Sequence, residues 1–250
     1  TILTGWITQG PRVNEFEEKF AQYTGARFAV AISNCTTALH LSMIVSGITS
    51  NDEVICPSMS YIATANAIQY VGATPVFAEV TPEDYNLDPI HTERLITSKT
   101  KAILVVHQIG MPANLDAFHA LSKKYNLKII EDAACAIGSS YKGQKIGSHS
   151  ELVYFSFHPR KVISTGDGGM IATNREDYYT RLKLLRQHGM SVNDRVRHES
   201  DKVIFEEHLE VGYNYRMTDI QAAVGIKQLE KLDWIVQERR KIARQYDEAF

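Results

Sequence analysis

Short apolar runs alternate with helical segments along most of this chain, and no other feature of the sequence restricts its fold as strongly. Phe28-Ala-Val-Ala-Ile32, Thr74-Pro-Val-Phe-Ala78, Ala102-Ile-Leu-Val-Val106 and Leu152-Val-Tyr-Phe-Ser-Phe157 have the length and apolar content of buried strands, as do the shorter Glu53–Cys56, Leu127–Ile130 and Gly169–Thr173. Between them, helices are predicted. Pro11 opens and Gly25 closes a segment in which Val13, Phe16, Phe20 and Tyr23 recur at helical spacing. Ala38–Val45, Tyr61–Tyr70, Leu115–Tyr125 and Arg175–Gln187 read the same way, and Tyr141-Lys-Gly-Gln144 reads as a hairpin turn. Thr218-Asp-Ile-Gln221 is a capping box that opens one long helix running to Phe250. This order predicts an α/β fold: a mostly parallel central sheet with helices on both faces. Ligands of such sheets bind at the carboxyl ends of the strands.

Composition narrows the function classes. With 44% hydrophobic and 22% charged residues, a chain of 250 residues has the apolar material for a substantial core. Its 27 basic and 29 acidic residues leave a net charge of -2, so no basic field is present to draw in nucleic acid or an anionic membrane. The charge-free stretches Phe28–Asn51 and Val54–Ala78 are interrupted by polar residues and read as buried core, not as spans. Cys35, Cys56 and Cys135 have neither disulfide-framework nor zinc spacing, and no basic region followed by an apolar one opens the chain. A reducing, cytoplasmic setting without a bound metal is the expectation. Between Ser191 and Val211 the sequence is charged and weakly patterned, which predicts an exposed excursion.

The glycine fingerprint of dinucleotide sites, the P-loop, H-E-x-x-H and G-x-S-x-G are all absent. An NAD-dependent oxidoreductase on the same kind of sheet loses its usual support. What remains are polar residues after predicted strands. Ser33-Asn-Cys-Thr-Thr37 begins a helix, where backbone N–H groups and the helix dipole can meet a phosphate; the same residues also read as an ordinary cap by Ser33 or Thr36. Asp132 ends an apolar strand, where a carboxylate needs a cation such as a pyridinium, or else serves as a helix cap or in a structural ion pair. Lys161 lies between Ser156-Phe-His-Pro159 and the glycine-rich Gly166-Asp-Gly-Gly169, a setting that partly desolvates it for attack on a carbonyl; most lysines are simply solvated. A phosphate cradle, a ring partner and a Schiff-base lysine are the three contacts that pyridoxal 5'-phosphate requires.

At this point the chain resembles a known family. Gly5-Trp-Ile-Thr-Gln-Gly-Pro11, Ser33-Asn-Cys-Thr-Thr-Ala-Leu39, Ile62-Ala-Thr-Ala-Asn66, Gly72-Ala-Thr-Pro-Val76, Glu131-Asp-Ala-Ala134, Phe155-Ser-Phe-His-Pro-Arg-Lys161, Gly166-Asp-Gly-Gly169 and Gly212-Tyr-Asn-Tyr-Arg-Met-Thr-Asp219 occur in the order found in the DegT/DnrJ/EryC1/StrS sugar aminotransferases of fold type I. The resemblance implies that Lys161 is the Schiff-base lysine and proton shuttle and that Asp132 partners the pyridine nitrogen. It implies that Tyr61 stacks on the cofactor and that Thr36, Thr37 and Ser156 hold its phosphate. Asn214 and Arg216 match a segment that crosses a homodimer interface to the partner's phosphate site. Trp6 and Thr8 match a loop bordering the sugar.

Three positions depart from the family pattern. Cys35 stands where Gly is frequent, Cys135 where Gln or His often reaches the cofactor's ring oxygen, and Asp167 where Glu is usual. His107, His158 and His188 are not given the proton transfers; His158 reads as a residue that shapes the loop. The resemblance implies a PLP-binding large domain over residues 1–217, with 218–250 a linking helix and the start of a small domain that is otherwise missing. The expected reaction moves an amino group from an amino acid, glutamate in the family's manner, to a keto-sugar carried on a nucleotide. Relatives with His in place of the lysine dehydrate sugars, and a PLP-binding regulatory or inactive module is the remaining alternative.

Overall fold

The computed structural model describes residues 1–191 and 206–250, so the greater part of the charged excursion expected between Ser191 and Val211 lies outside the described residues. Seven strands form one sheet in the order β1-β9-β8-β5-β4-β2-β3. They are β1 (Phe28–Ile32), β2 (Glu53–Pro57), β3 (Thr74–Ala78), β4 (Thr100–Val106), β5 (Lys128–Asp132), β8 (Leu152–Ser156) and β9 (Gly169–Thr173). The remaining two, β6 (Ser140–Tyr141) and β7 (Gln144–Lys145), make the expected hairpin. Neighbours from β3 to β8 are parallel, while β9 is antiparallel to both β8 and β1. Six strands therefore share one direction and β9 alone is reversed.

Alternate residues of each strand enter different layers, because successive side chains leave opposite faces of a sheet. In β4, Ile103 and Val105 join the layer of α1 (Pro11–Thr24) and α5 (Leu115–Tyr125), whereas Ala102, Leu104 and Val106 join that of α2 (Cys35–Val45), α3 (Ala63–Tyr70) and α6 (Glu176–Leu185). In β8 the same rule sends Phe155 to the first layer, with its ring 5.0 Å from that of Phe20. Phe157, just beyond the strand, joins that layer too, 5.3 Å from Phe16. Each such ring contributes about 2–3 kcal/mol by burial, and their direction leaves Ser156 for the α2 side. In β5, Ile129 and Ile130 divide likewise, so Asp132 shares the α2 face with Ile130 while Glu131 faces the other way.

A short helix, α4 (Pro89–Arg94), was not foreseen, although Asp88 capping Ile90 N–H and Pro89 in the first turn are a local start signal. The long helix expected from Thr218 is in fact two: α7 (Asp219–Glu230) and α8 (Leu232–Ala249), divided at Lys231. The apolar spacing runs on through the break and no Gly or Pro marks it, which is why the sequence read as continuous. Gly225 brings α7 close to α1, since a Cβ there would lie 2.6 Å from the Phe16 ring. α8 leaves the core and has only Leu232 buried. No helix among the described residues is long and apolar enough to cross a membrane.

Candidate active site

The carboxyl ends of β1, β5 and β8 open into one cavity of about 740 Å³. Thr36, Thr37, Tyr61, Asp132, Ser156 and Lys161 line it, although they come from four separate stretches of chain. A larger groove, of about 970 Å³, is lined by Lys101 and Lys128 near the amino ends of β4 and β5 and contains none of the candidate residues.

α2 points its amino-terminus at this cavity. Its cap is Asn34, not Ser33 or Thr36: Asn34 Oδ1 accepts Thr37 N–H at 2.9 Å, and Thr37 Oγ1 accepts Asn34 N–H at 3.3 Å. The extended backbone of Asn34 and its amide arm suit that reach. The N–H groups of Cys35 and Thr36, the first two of the helix, have no intrahelical acceptor and remain for an anion. Gly169 lets β9 start against this turn, because a Cβ there would be 2.7 Å from the Asn34 carbonyl.

Asp132 is buried beside the cavity, where its Oδ1 accepts Ala134 N–H at 2.9 Å. Burial pushes its carboxyl above the usual range, opposed by the Ala134 amide and the Lys161 charge. Tyr154, its neighbour across the β5–β8 register, is fully buried, and burial beside the Asp132 charge pushes its phenol well above the ordinary range. Lys161 is half-buried and its Nζ donates to Cys135 Sγ at 3.1 Å. His158 does shape this loop: its carbonyl accepts Lys161 N–H at 2.8 Å and its Nδ1 accepts Arg160 N–H at 3.3 Å. Ser156 Oγ receives His158 N–H at 3.4 Å. Tyr61 stands on the rim, 73% exposed, where its ring can cover a flat ligand.

The remaining candidates lie elsewhere. Asn214 is exposed, bridged to Gln187 and outside the cavity wall, and Arg216 bridges Ile32. Thr8 is exposed with its carbonyl accepting Asp219 N–H at 2.7 Å, while the Trp6 ring packs beside Gly10. Sequence reasoning passed over His40, Tyr70 and Tyr215, which also line the cavity. His40 Nδ1 is 3.2 Å from Tyr215 Oη, and burial pushes its imidazole down, toward the neutral form. The contact joins residues too far apart in the chain for any local signal to have announced it.

A sheet whose carboxyl edge gathers a helix amino-terminus, a buried aspartate and a lysine into one cavity defines a class, the fold type I transferase large domain. Within that class the chain belongs to the DegT/DnrJ/EryC1/StrS aminotransferase family, which it matches over residues 1–250. It is 44% identical over 246 residues to GDP-perosamine synthase of Caulobacter vibrioides, covering 98% of this chain and 64% of that protein. It is 40% identical over 250 residues to the spore coat polysaccharide biosynthesis protein SpsC of Bacillus subtilis, covering 100% of this chain and 64% of that one. Among solved structures it resembles PseC of Helicobacter pylori, an aminotransferase involved in the biosynthesis of pseudoaminic acid. That likeness has a TM-score of 0.90 at 33% identity and covers 99% of this chain and 65% of PseC. The chain thus spans less than two thirds of these relatives' length.

Proposed function

We propose that the protein containing this chain is a pyridoxal-phosphate-dependent aminotransferase that moves an amino group from an amino acid, glutamate in the first instance, to a nucleotide-linked keto-sugar. The observation that carries this is the placing of Lys161, Asp132 and the α2 amino-terminus around one cavity. These residues fit the cofactor: the Cys35 and Thr36 amides suit its phosphate, the buried Asp132 suits a cationic ring nitrogen, and the exposed Tyr61 ring suits its face. When bound, pyridoxal phosphate supplies an aldehyde for the donor's amine and a ring that withdraws electrons.

The chain's own residues do the rest. Asp132, ionised beside a cation, holds a proton on the ring nitrogen. Lys161, once free, carries a proton to and from the donor's α-carbon. Thr36, Thr37 and Ser156 add hydroxyls beside the helix amides, and Cys135, whose Sγ meets Lys161 Nζ at 3.1 Å, would stand on the ring side of the site. We read residues 1–217 as the cofactor-binding domain and 218–250 as the link to a second domain, α7 being the part of that link that packs on α1. The active unit is a homodimer in which Asn214 and Arg216 serve the partner's phosphate site, and Trp6 and Thr8 border the sugar. Three unpaired cysteines favour a cytoplasmic setting.

The test is spectroscopic and chemical. The full-length protein should bind pyridoxal phosphate with a visible absorbance that glutamate bleaches, and borohydride should fix the cofactor on the Lys161 peptide. Lys161→Ala should lose both the adduct and turnover; adduct on another lysine sinks the assignment. A screen of donors and keto-sugars, with product NMR, then identifies the acceptor.

A further inference from the structure

Of the three cysteines only Cys135 is exposed, and its sulfur is the atom that Lys161 Nζ touches, at 3.1 Å. We propose that Cys135 and Lys161 form an oxidative modification site, at which peroxide inserts one oxygen atom between Sγ and Nζ. A thiol and an amine in van der Waals contact are separated by little more than an S–O–N linkage spans. Lys161 lines the cavity and Cys135 is exposed beside it, so a small oxidant has access to both.

The chemistry balances in two steps. Peroxide first converts the Cys135 thiol to a sulfenic acid and leaves as one water. A second peroxide then removes two electrons as the sulfenic oxygen bonds to the Lys161 nitrogen. One proton leaves the sulfenic oxygen and one leaves the amine, one hydrogen staying on nitrogen, and the peroxide becomes two waters. The product is Cys–S–O–NH–Lys. Two equivalents of a dithiol supply the four electrons that restore thiol and amine, with one water released.

The neighbours favour lysine as the group that captures the sulfenic acid. Cys35 is the alternative, since it shares the electrostatic surroundings of Cys135, Lys161 and Asp132. Desolvation pushes its thiol well above the ordinary range, so it is held protonated and is a poor nucleophile. Cys56 is buried, with its thiol pushed up to about 12. The Cys135 main chain is also fixed: its carbonyl packs against Gly110, where an added Cβ would approach to 2.8 Å, and Ser139 Oγ ties the same loop to the Gly110 carbonyl at 2.7 Å.

This inference rests on Lys161 being the residue that holds the cofactor aldehyde, and it makes cofactor and bridge competitors for one nitrogen. The bridge closes only while Lys161 is free, and pyridoxal phosphate protects it.

The experiment uses the full-length protein in two preparations, loaded with pyridoxal phosphate and stripped of it, each treated with hydrogen peroxide and digested without reductant. Mass spectrometry of the stripped protein should find the Cys135 and Lys161 peptides joined, heavier than their sum by one oxygen less two hydrogens. The joined pair should vanish on dithiol treatment, be absent in Cys135→Ser, and fall by about tenfold or more in the loaded protein, as expected when a ligand removes the reactive state. Cys135 ending as sulfinic acid, or as a disulfide with Cys35, with no joined pair in the stripped protein, overturns the proposal. A joined pair that forms equally with and without cofactor upholds the bridge and instead overturns Lys161 as the cofactor's lysine.

Discussion

Asp132 weakens the fold that carries it until a cation arrives, because its carboxyl is held above the ordinary range by burial. A carboxyl raised in the folded state favours folding fully only at acidic pH, below the unfolded value, and that advantage is lost as pH rises through the folded value. At pH 7 the cofactor-free protein should therefore be more stable as Asp132→Asn, by roughly 2–4 °C in Tm for each kcal/mol relieved. The gain should shrink as pH falls through the raised folded value and be gone below the ordinary carboxylate range. Function should move the opposite way. Asp132→Asn keeps the phosphate and lysine contacts, so it should bind cofactor yet slow the half-reaction with glutamate by orders of magnitude, on the order of 10²-fold or more. Thermal melts across pH and single-turnover absorbance check the two halves, and a normal single-turnover rate would refute the role.

At the scale of elements, the first turn of α7 holds two loops at once. Asp219 Oδ1 accepts Gly10 N–H at 2.8 Å and Val13 N–H at 3.0 Å, and its Oδ2 accepts Arg12 N–H at 3.1 Å, which caps α1 from across the fold. Gln221 Nε2 donates to the Asp167 carbonyl at 2.9 Å and so braces the glycine-rich turn after Lys161. Asp219→Ala should cost on the order of 3 kcal/mol, since three amides lose a charged acceptor in a buried place. Urea denaturation should show the loss, with Asp219→Asn intermediate; an unchanged midpoint would contradict the latch. What the sequence made legible follows the range of the cause. The Thr218–Gln221 capping box and the β6–β7 hairpin are set by residues within four of each other, and both could be read directly. Asp219 meeting Gly10, or His40 meeting Tyr215, depends on the finished fold and leaves no local mark. The cavity sat between these cases: Asp132 and Lys161 were legible because each follows an apolar strand, but the capping role of Asn34 depended on a backbone angle.

For the whole molecule, the exposure of Asn214 outside its own cavity is what the shared-site reading needs. Tyr61 on the cavity rim and its chain neighbours Met59 and Ile62 are exposed apolar side chains as well. A donor lost from a phosphate should weaken cofactor binding by roughly 1.5–3 kcal/mol. Mixed subunits give the sharper measurement. An Asn214→Ala subunit paired with a Lys161→Ala subunit leaves one site with both defects and one with neither, so mixing two impaired variants should restore activity toward half the wild-type value per hybrid dimer. Verified exchange without recovery, or an active monomer in sedimentation, refutes the arrangement. The reversed strand has a consequence of another kind. Among the described residues β1 finds its only strand partner in β9, with Phe28 opposite Thr173, so during synthesis β1 waits for β9 before that edge is satisfied. Until Gly169–Thr173 emerges, Phe28–Ile32 is an open apolar edge in the nascent chain, and holding it out of aggregates is a task for chaperones during translation.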